Sequence, residues 1–220
     1  MILLSPEEAR VLGCLIEKSQ ATPEYYPLTL NALVAACNQK TSRDPVVEYT
    51  SEEVEEALRH LREKNLCAFV AGEGRVLKYA HRCGDNGLGL SPAEQAALSL
   101  MLLRGPQTIG EIKNRSGRQH EFASLEEVQE VVNALMEHEP SLAEQAPRQP
   151  GQKEVRYRHL FFNYENKTED GEGTKIGVSL RVEVDELKQI VQSLQKENMQ
   201  LREKLARLEE DFGELRNDLY

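Results

Sequence analysis

The sequence predicts a mainly α-helical protein of the α+β class, in which a unit of three helices and a β-hairpin occurs twice. The first observation is a repeated helix start, because residues 4–8 and 90–94 share the pattern Leu-Ser-Pro-x-Glu, in which x is Glu in the first copy and Ala in the second. The second is a repeated strand end, a basic residue followed by Tyr-x-His, at residues 78–81 and 156–159. The third is a run of leucines at seven-residue spacing, which predicts a coiled-coil helix near the end of the 220 residues.

The first helix of each copy is predicted from its cap. A serine N-cap, a proline at the first helical position and a glutamate at the third form a capping box on a preset backbone angle. A short second helix follows in each copy. The third helix begins at another predicted capping box, Thr50 with Glu53 in the first copy and Ser124 with Glu127 in the second. Apolar residues then recur at helical spacing, which indicates one buried face on each helix.

Each third helix is followed by two predicted strands. Residues 66–70 and 75–81 form the first hairpin, and a longer Pro/Gly/Gln stretch leads to the second copy's final strand at residues 154–160. Three helices and a two-stranded wing are the pattern of a winged helix. We therefore predict two tandem winged-helix domains at residues 1–83 and 90–162, a linker at 84–89, a flexible polar tether at 163–177 and a coiled coil at 178–220.

The coiled-coil pattern predicts a parallel homodimer. Leucine at the d positions with valine at two a positions favours two parallel strands, and one asparagine at an a position sets the register. Four of the expected interhelical e/g pairs join opposite charges. The predicted dimer contacts are Leu180, Val184, Leu187, Val191, Leu194, Asn198, Leu201, Leu205, Leu208, Phe212 and Leu215.

Composition narrows the functional class. No apolar run is long enough to cross a membrane, the start of the chain is acidic and unlike a signal peptide, and the four cysteines have neither zinc-ligand nor disulfide spacing. Motifs for nucleophilic, phosphate-binding, metallohydrolase or dinucleotide chemistry are missing. We therefore expect a cytoplasmic protein that is not an enzyme and has no cofactor, no metal site and no membrane partner.

The formal net charge is −10, so binding to nucleic acid would require a local basic patch. In a helix–turn–helix, the turn and the following helix approach the major groove and the wing contacts the backbone. Polar and basic residues cluster at these places in both copies. The predicted contacts with DNA or with another partner are Asn38, Gln39, Lys40, Ser42, Arg43, Arg75, Lys78, Lys113, Arg115, Arg118, Lys153, Arg156 and Arg158.

The composition of the third helices argues against conventional DNA binding through a recognition helix. Their first turns carry clusters of glutamate at residues 52–56 and 126–130, which would repel phosphates. Acidic residues are also favourable at helix starts for reasons of the helix dipole alone. The leading hypothesis is therefore a dimeric DNA-associated regulator that uses its turns and wings, and the second is a protein–protein adaptor that docks through acidic helix surfaces. An unrecognised enzyme is a third, more distant hypothesis.

Residues 3–161 also resemble a known family. The segments at 4–13, 26–33, 36–46, 103–108 and 151–160 are similar to motifs of the YceH-type family, bacterial tandem winged-helix proteins of unknown function. The resemblance implies the same fold, and it supplies neither catalytic residues nor an activity.

Overall fold

A computed structural model describes residues 2–71, 76–148 and 151–162, all of which belong to one compact unit, Met1–Thr168. In the first copy the elements are α1 (Pro6–Ala21), a 3-10 turn (Pro23–Tyr25), β1 (Leu28–Thr29), α2 (Leu30–Cys37), α3 (Ser51–Glu63), β2 (Cys67–Ala71) and β3 (Leu77–His81). In the second copy they are α4 (Pro92–Arg104), α5 (Ile109–Ser116), α6 (Leu125–Glu137), β4 (Ala143–Gln145) and β5 (Tyr157–His159).

Three of the four predicted capping boxes are confirmed. Ser5, Thr50 and Ser91 each accept a hydrogen bond from the third helical N–H, and the glutamate there accepts one from the N-cap N–H. At α6 the prediction was wrong in one bond. Ser124 does accept from the Glu127 N–H, but the Glu127 carboxylate accepts from the N–H of Ala123, at 2.6 Å, and not from that of the N-cap Ser124.

Each hairpin closes against its own helices. The first sheet has the order β1-β3-β2, all antiparallel, with Phe69 opposite Tyr79. In the second copy β4 pairs with β5, and a single bridge between Gln107 and Tyr157 stands where β1 stands in the first. β5 is shorter than the strand predicted at residues 154–160, because only Tyr157–His159 pair with residues of β4.

The two first helices pack antiparallel at the centre. The Gln20 amide at the end of α1 donates to the carbonyl of Pro92 at the start of α4, at 2.7 Å. Near the other end, Gly13 lies against Leu103 so closely that an added Cβ would stand 2.9 Å from the leucine side chain. α1 is therefore enclosed on nearly all sides, and its residues Glu8–Ile16 are buried.

The predicted class is confirmed at the level of a mixed helical protein with small antiparallel sheets, which fits α+β. Within the described ranges, no helix is long and apolar enough to cross a membrane. The four cysteines are free and buried. The predicted tether at 163–177 and coiled coil at 178–220, with all of its dimer contacts, lie outside the described residues, and the domain boundaries stay a prediction.

Candidate nucleic-acid interface

One cleft of about 750 Å³ brings together the turns that follow α2 and α5. Five of the predicted contact residues line it, from both copies. They are Gln39, Lys40, Ser42, Arg115 and Arg118. Because these residues lie more than seventy positions apart in the chain, only the packing of α1 against α4 places them on one surface.

The cleft also contains two basic residues that sequence reasoning missed, Lys18 and Arg104. They lie in the last turns of α1 and α4, at the same distance from the proline that starts each helix. The repeat itself carried this signal, since aligning the two helix starts superimposes the two cations. Basic residues at helix C-termini are also favoured by the helix dipole, so their position alone did not indicate a binding site.

The charge balance of the cleft opposes that of the whole chain. Lys18, Lys40, Arg104, Arg115 and Arg118 line it, against the single carboxylate of Glu17. The side chains of Lys40, Arg104 and Arg118 form no hydrogen bond or ion pair with any residue that the structure describes. Burial, followed by the positive charge of Arg115, lowers the pKa of Arg104 from its ordinary value. An anion in the cleft would relieve this repulsion between like charges.

Arg115 is partly engaged within the protein. Its guanidinium donates to the side-chain oxygen of Gln107, and it lies 3.5 Å from the carboxylate of Glu111, one helical turn earlier in α5. This fixes the arginine in the wall of the cleft. The remaining guanidinium donors are free to meet a ligand, because an arginine has five N–H groups and these two contacts use only some of them.

Arg43 is not part of the accessible surface, so its prediction as a contact residue is corrected. Its side chain is 0 % exposed and donates twice to the Glu17 carboxylate, at 3.1 and 2.7 Å, and once to the Ala36 carbonyl. Burial alone would raise the pKa of Glu17, but the hydrogen bonds and charge of Arg43 outweigh burial and hold that pKa below its ordinary value. The pair anchors the turn carrying Lys40 to the end of α1.

Asn38 also acts within the fold. Its side-chain amide donates to the Tyr49 carbonyl at 2.8 Å, and its side-chain oxygen accepts from the Tyr49 N–H at 2.8 Å. These two bonds close the segment between α2 and α3 into a fixed loop. The turn that presents Gln39, Lys40 and Ser42 is therefore tied at both ends by side chains that the sequence pattern had assigned to ligand contact.

The remaining predicted contacts lie away from the cleft. The Lys113 ammonium donates to the carbonyl of Ala123, while Arg156 is paired with Glu111 and Arg158 with Glu144. Lys78 is half-buried on β3, and Lys153 is exposed. Arg75 lies outside the described residues. Arg156 and Arg158 are thus held by carboxylates, whereas the side chains of Lys40 and Arg118 in the turns have no partner among the described residues.

The acidic starts of the third helices do not line the cleft. Glu52, Glu55 and Glu56 border a different groove, between α3 and the first hairpin. The basic cleft and the acidic helix surfaces are therefore separate, and an anionic ligand in the cleft would not meet these glutamates. No group of three or more His, Cys, Asp or Glu side chains suited to a metal ion occurs in the described parts of the chain.

Comparison with known proteins places the chain in a family. The profile of a family described as a protein of unknown function, DUF480, matches residues 4–152. A UPF0502 protein of Geobacter sulfurreducens is 49% identical over 182 residues, covering 80% of this chain and 83% of that protein. Another, from a Shewanella species, is 42% identical over 220 residues, covering 98% and 95%. The expected kinship with a bacterial family of unknown function is confirmed, although the name YceH is not among these matches. The chain belongs to the DUF480/UPF0502 family of uncharacterised bacterial proteins.

Proposed function

We propose that this chain is a non-enzymatic, DNA-associated protein that contacts the phosphate backbone through its basic cleft. The observation that carries the proposal is the convergence of two helix–turn–helix turns on one cleft whose Lys40, Arg104 and Arg118 are unpaired among the described residues. Lysine and arginine without internal partners are the groups that neutralise phosphates and release counterions.

The proposal includes the finer architecture predicted from the sequence. Residues 1–83 and 90–162 act as two winged-helix domains, a view supported by the order of three helices and an antiparallel hairpin in each copy. The segment at 178–220 joins two chains in a parallel homodimer in the cytoplasm. Two clefts per dimer would raise the effective affinity for a polymer with many identical phosphates.

The cleft favours contact with backbone over recognition of base sequence. The third helices, which read bases in a helix–turn–helix protein, carry glutamates and lie outside the cleft. The residues that line it offer long cations and short polar side chains from turns. We therefore expect affinity to depend strongly on salt and weakly on sequence.

The test is fluorescence anisotropy with a labelled DNA duplex of mixed sequence, titrated with the full-length protein at several salt concentrations between about 50 and 200 mM. We expect Lys40→Ala and Arg118→Ala each to weaken binding, and each to reduce the slope of log affinity against log salt by about 1. Arg148→Ala removes an exposed arginine outside the cleft and serves as the matched control.

Two results would reject the proposal. One is the absence of binding at the lowest salt concentration, which favours the adaptor hypothesis. The other is an equal loss of affinity in Arg148→Ala and in the cleft variants, since this would indicate a diffuse charge effect and not a site.

A further inference from the structure

The first hairpin has an unpaired edge. The sheet order β1-β3-β2 leaves β2 with a neighbour on one side only, as far as the described residues extend. In an antiparallel pair, alternate residues direct their N–H and C=O groups toward the partner strand and away from it. The Arg82 N–H donates to the Leu66 carbonyl at 2.8 Å, so the alternation makes Cys67 and Phe69 the residues whose backbone groups point away from β3. Cys67 is buried and Phe69 is exposed, so Phe69 is the accessible one of the two.

This edge lacks the usual protection against strand pairing. Proteins commonly place a lysine, a proline or a bulge on a free edge strand. β2 has the sequence Cys-Ala-Phe-Val-Ala, without charge, proline or bulge, and pairs in register with β3 along its whole length. The Phe69 side chain is 41% exposed. An accessible apolar edge of this kind is suited to receive another extended chain.

A groove of about 570 Å³ lies beside the edge, between β2 and the second half of α3. Two cations in its wall have no carboxylate partner among the described residues. The Arg62 guanidinium carbon lies over the Phe69 ring, 3.6 Å from its centroid. The Arg82 guanidinium donates to the side-chain oxygen of Asn65 and to the carbonyl of Asn86, both of them neutral groups. Positive charge therefore adjoins the open backbone groups.

A third arginine in the groove is already neutralised. Arg59 forms ion pairs with Glu56 and Glu63 on its own helix. Of the three arginines that line this groove, Arg62 and Arg82 remain to bind an external anion. Arg62 lies on α3, and Arg82 directly follows β3. The groove thus combines backbone donors and acceptors, one aromatic surface and two uncompensated cations.

We propose that this groove is a protein-binding site in which an extended acidic segment of a partner protein adds as a strand to β2. Its backbone pairs with the outward N–H and C=O groups of Phe69. One of its apolar side chains packs on the Phe69 ring, and its carboxylates accept hydrogen bonds from Arg62 and Arg82. Strand addition supplies affinity through the backbone, and the two arginines select for acidic sequence.

A protein partner fits the groove better than nucleic acid does. A phosphate backbone would satisfy the arginines but leave the edge N–H and C=O groups of β2 unpaired. The groove is also bordered by Glu63, and the adjoining surface by Glu52, Glu55 and Glu56, which would repel a chain of phosphates. A short peptide can place its few carboxylates at the arginines alone. The site is distinct from the basic cleft, with which it shares no lining residue.

The experiment is selection of a displayed library of random linear peptides on the full-length protein, followed by affinity measurement with the enriched peptides. We expect enrichment of sequences in which acidic and apolar residues alternate. Arg62→Gln/Arg82→Gln should lower the affinity at least about tenfold, because two charge-assisted hydrogen bonds are lost. Arg118→Ala, in the basic cleft, should leave peptide affinity unchanged.

Amide hydrogen exchange tests the proposed backbone pairing separately from the arginine contacts. Bound peptide should slow amide hydrogen exchange at Phe69, while Ala68 and Val70 are already protected by β3. Phe69→Pro removes the outward N–H without breaking the ladder to β3, and should abolish binding, whereas Phe69→Leu keeps the N–H and should retain part of it.

Three results would overturn the proposal. The first is no enrichment of acidic peptides, and the second is enriched peptides whose affinity the arginine and Phe69 variants leave unchanged. The third is loss of DNA binding in Arg62→Gln/Arg82→Gln with no peptide bound, which would assign the groove to nucleic acid. The DNA-binding proposal is tested with Lys40→Ala and Arg118→Ala in the basic cleft, so either proposal can be rejected while the other stands.

Discussion

His81, a largely enclosed histidine at the end of β3, is the side chain for which we expect a marked response to acid. Its Nδ1 accepts a hydrogen bond from the N–H of Cys83 at 3.2 Å, and its Nε2 lies 2.9 Å from the Ser19 hydroxyl. Burial lowers the pKa of His81 to about 4. Between about pH 6.5 and 4, His81 is therefore neutral in the folded protein and protonated in the unfolded chain.

We expect His81 to reduce the free energy of unfolding as the pH falls from about 6.5 toward 4, and to contribute no pH dependence above that range. Urea unfolding at pH 7 and pH 4.5 checks this. Between these two pH values, the free energy of unfolding should fall by about 2 kcal/mol more in the wild type than in His81→Gln. The other titrating groups are the same in both proteins and cancel in this comparison. Equal losses in both proteins would show that the histidine is protonated in the folded state.

The second copy repeats this arrangement, since the Nδ1 of His159 accepts from the N–H of Phe161, two residues further along. The Tyr-x-His pattern that revealed the repeat thus has a structural cause. Each histidine fixes the chain where it leaves the hairpin, and each tyrosine is buried beside it. Sequence reasoning located the motif but could not assign its purpose, because the hydrogen bond depends on the direction of the following residues.

The packing of α1 on α4 depends on a single glycine. A Cβ at Gly13 would stand 2.9 Å from two atoms of Leu103 and 3.1 Å from Leu102. We expect Gly13→Val to destabilise the protein by about 1–3 kcal/mol, because the added methyl groups overpack a contact at the core. Thermal unfolding followed by circular dichroism measures the effect.

Gly110, in α5, is the matched control. A Cβ there meets nothing closer than the Thr108 hydroxyl at 3.9 Å, so Gly110→Val should leave stability unchanged or raise it slightly. A similar melting temperature for Gly13→Val and the wild type would mean that the two helices can separate without cost, and that the cleft between their ends is not rigidly held.

Helices were predictable because their signals are local. The caps at Ser5, Thr50 and Ser91 lie within three residues of the groups they bind, and the apolar spacing of α3 identifies its buried face directly. β1 was not predicted, since two residues carry no periodicity and Leu28–Thr29 is a strand only through its pairing with β3. The strand limits of β4 and β5 depend on pairing in the same way.

The assembly of two chains is a prediction for the whole molecule. We expect a parallel dimer in solution, held by the leucine heptads at 178–220. Light scattering after gel filtration should give the dimer mass for the full chain and the monomer mass after deletion of 178–220. The full-length variant Leu187→Glu/Leu201→Glu should also be monomeric, because buried carboxylates at two d positions oppose pairing.

DNA affinity links this assembly to the cleft. A monomeric variant should bind a long duplex more weakly than the dimer, since the second contact loses its effective concentration, while binding at a single cleft is unchanged. A dimer mass that persists after deletion of 178–220 would place the interface elsewhere in the chain.

The sequence by itself determined the order of the helices, their capped starts, their buried faces and a set of basic turn residues that were candidates for ligand contact. These properties depend on neighbours within a few positions, where helix geometry and capping chemistry leave little choice. Only the tertiary structure decided which cations serve a site. It buried Arg43 against Glu17, tied Asn38 to Tyr49 and brought Lys18 and Arg104 beside Lys40 and Arg118. The physical reason is that a long charged side chain takes its role from the partners within its reach, and here those partners come from distant parts of the chain.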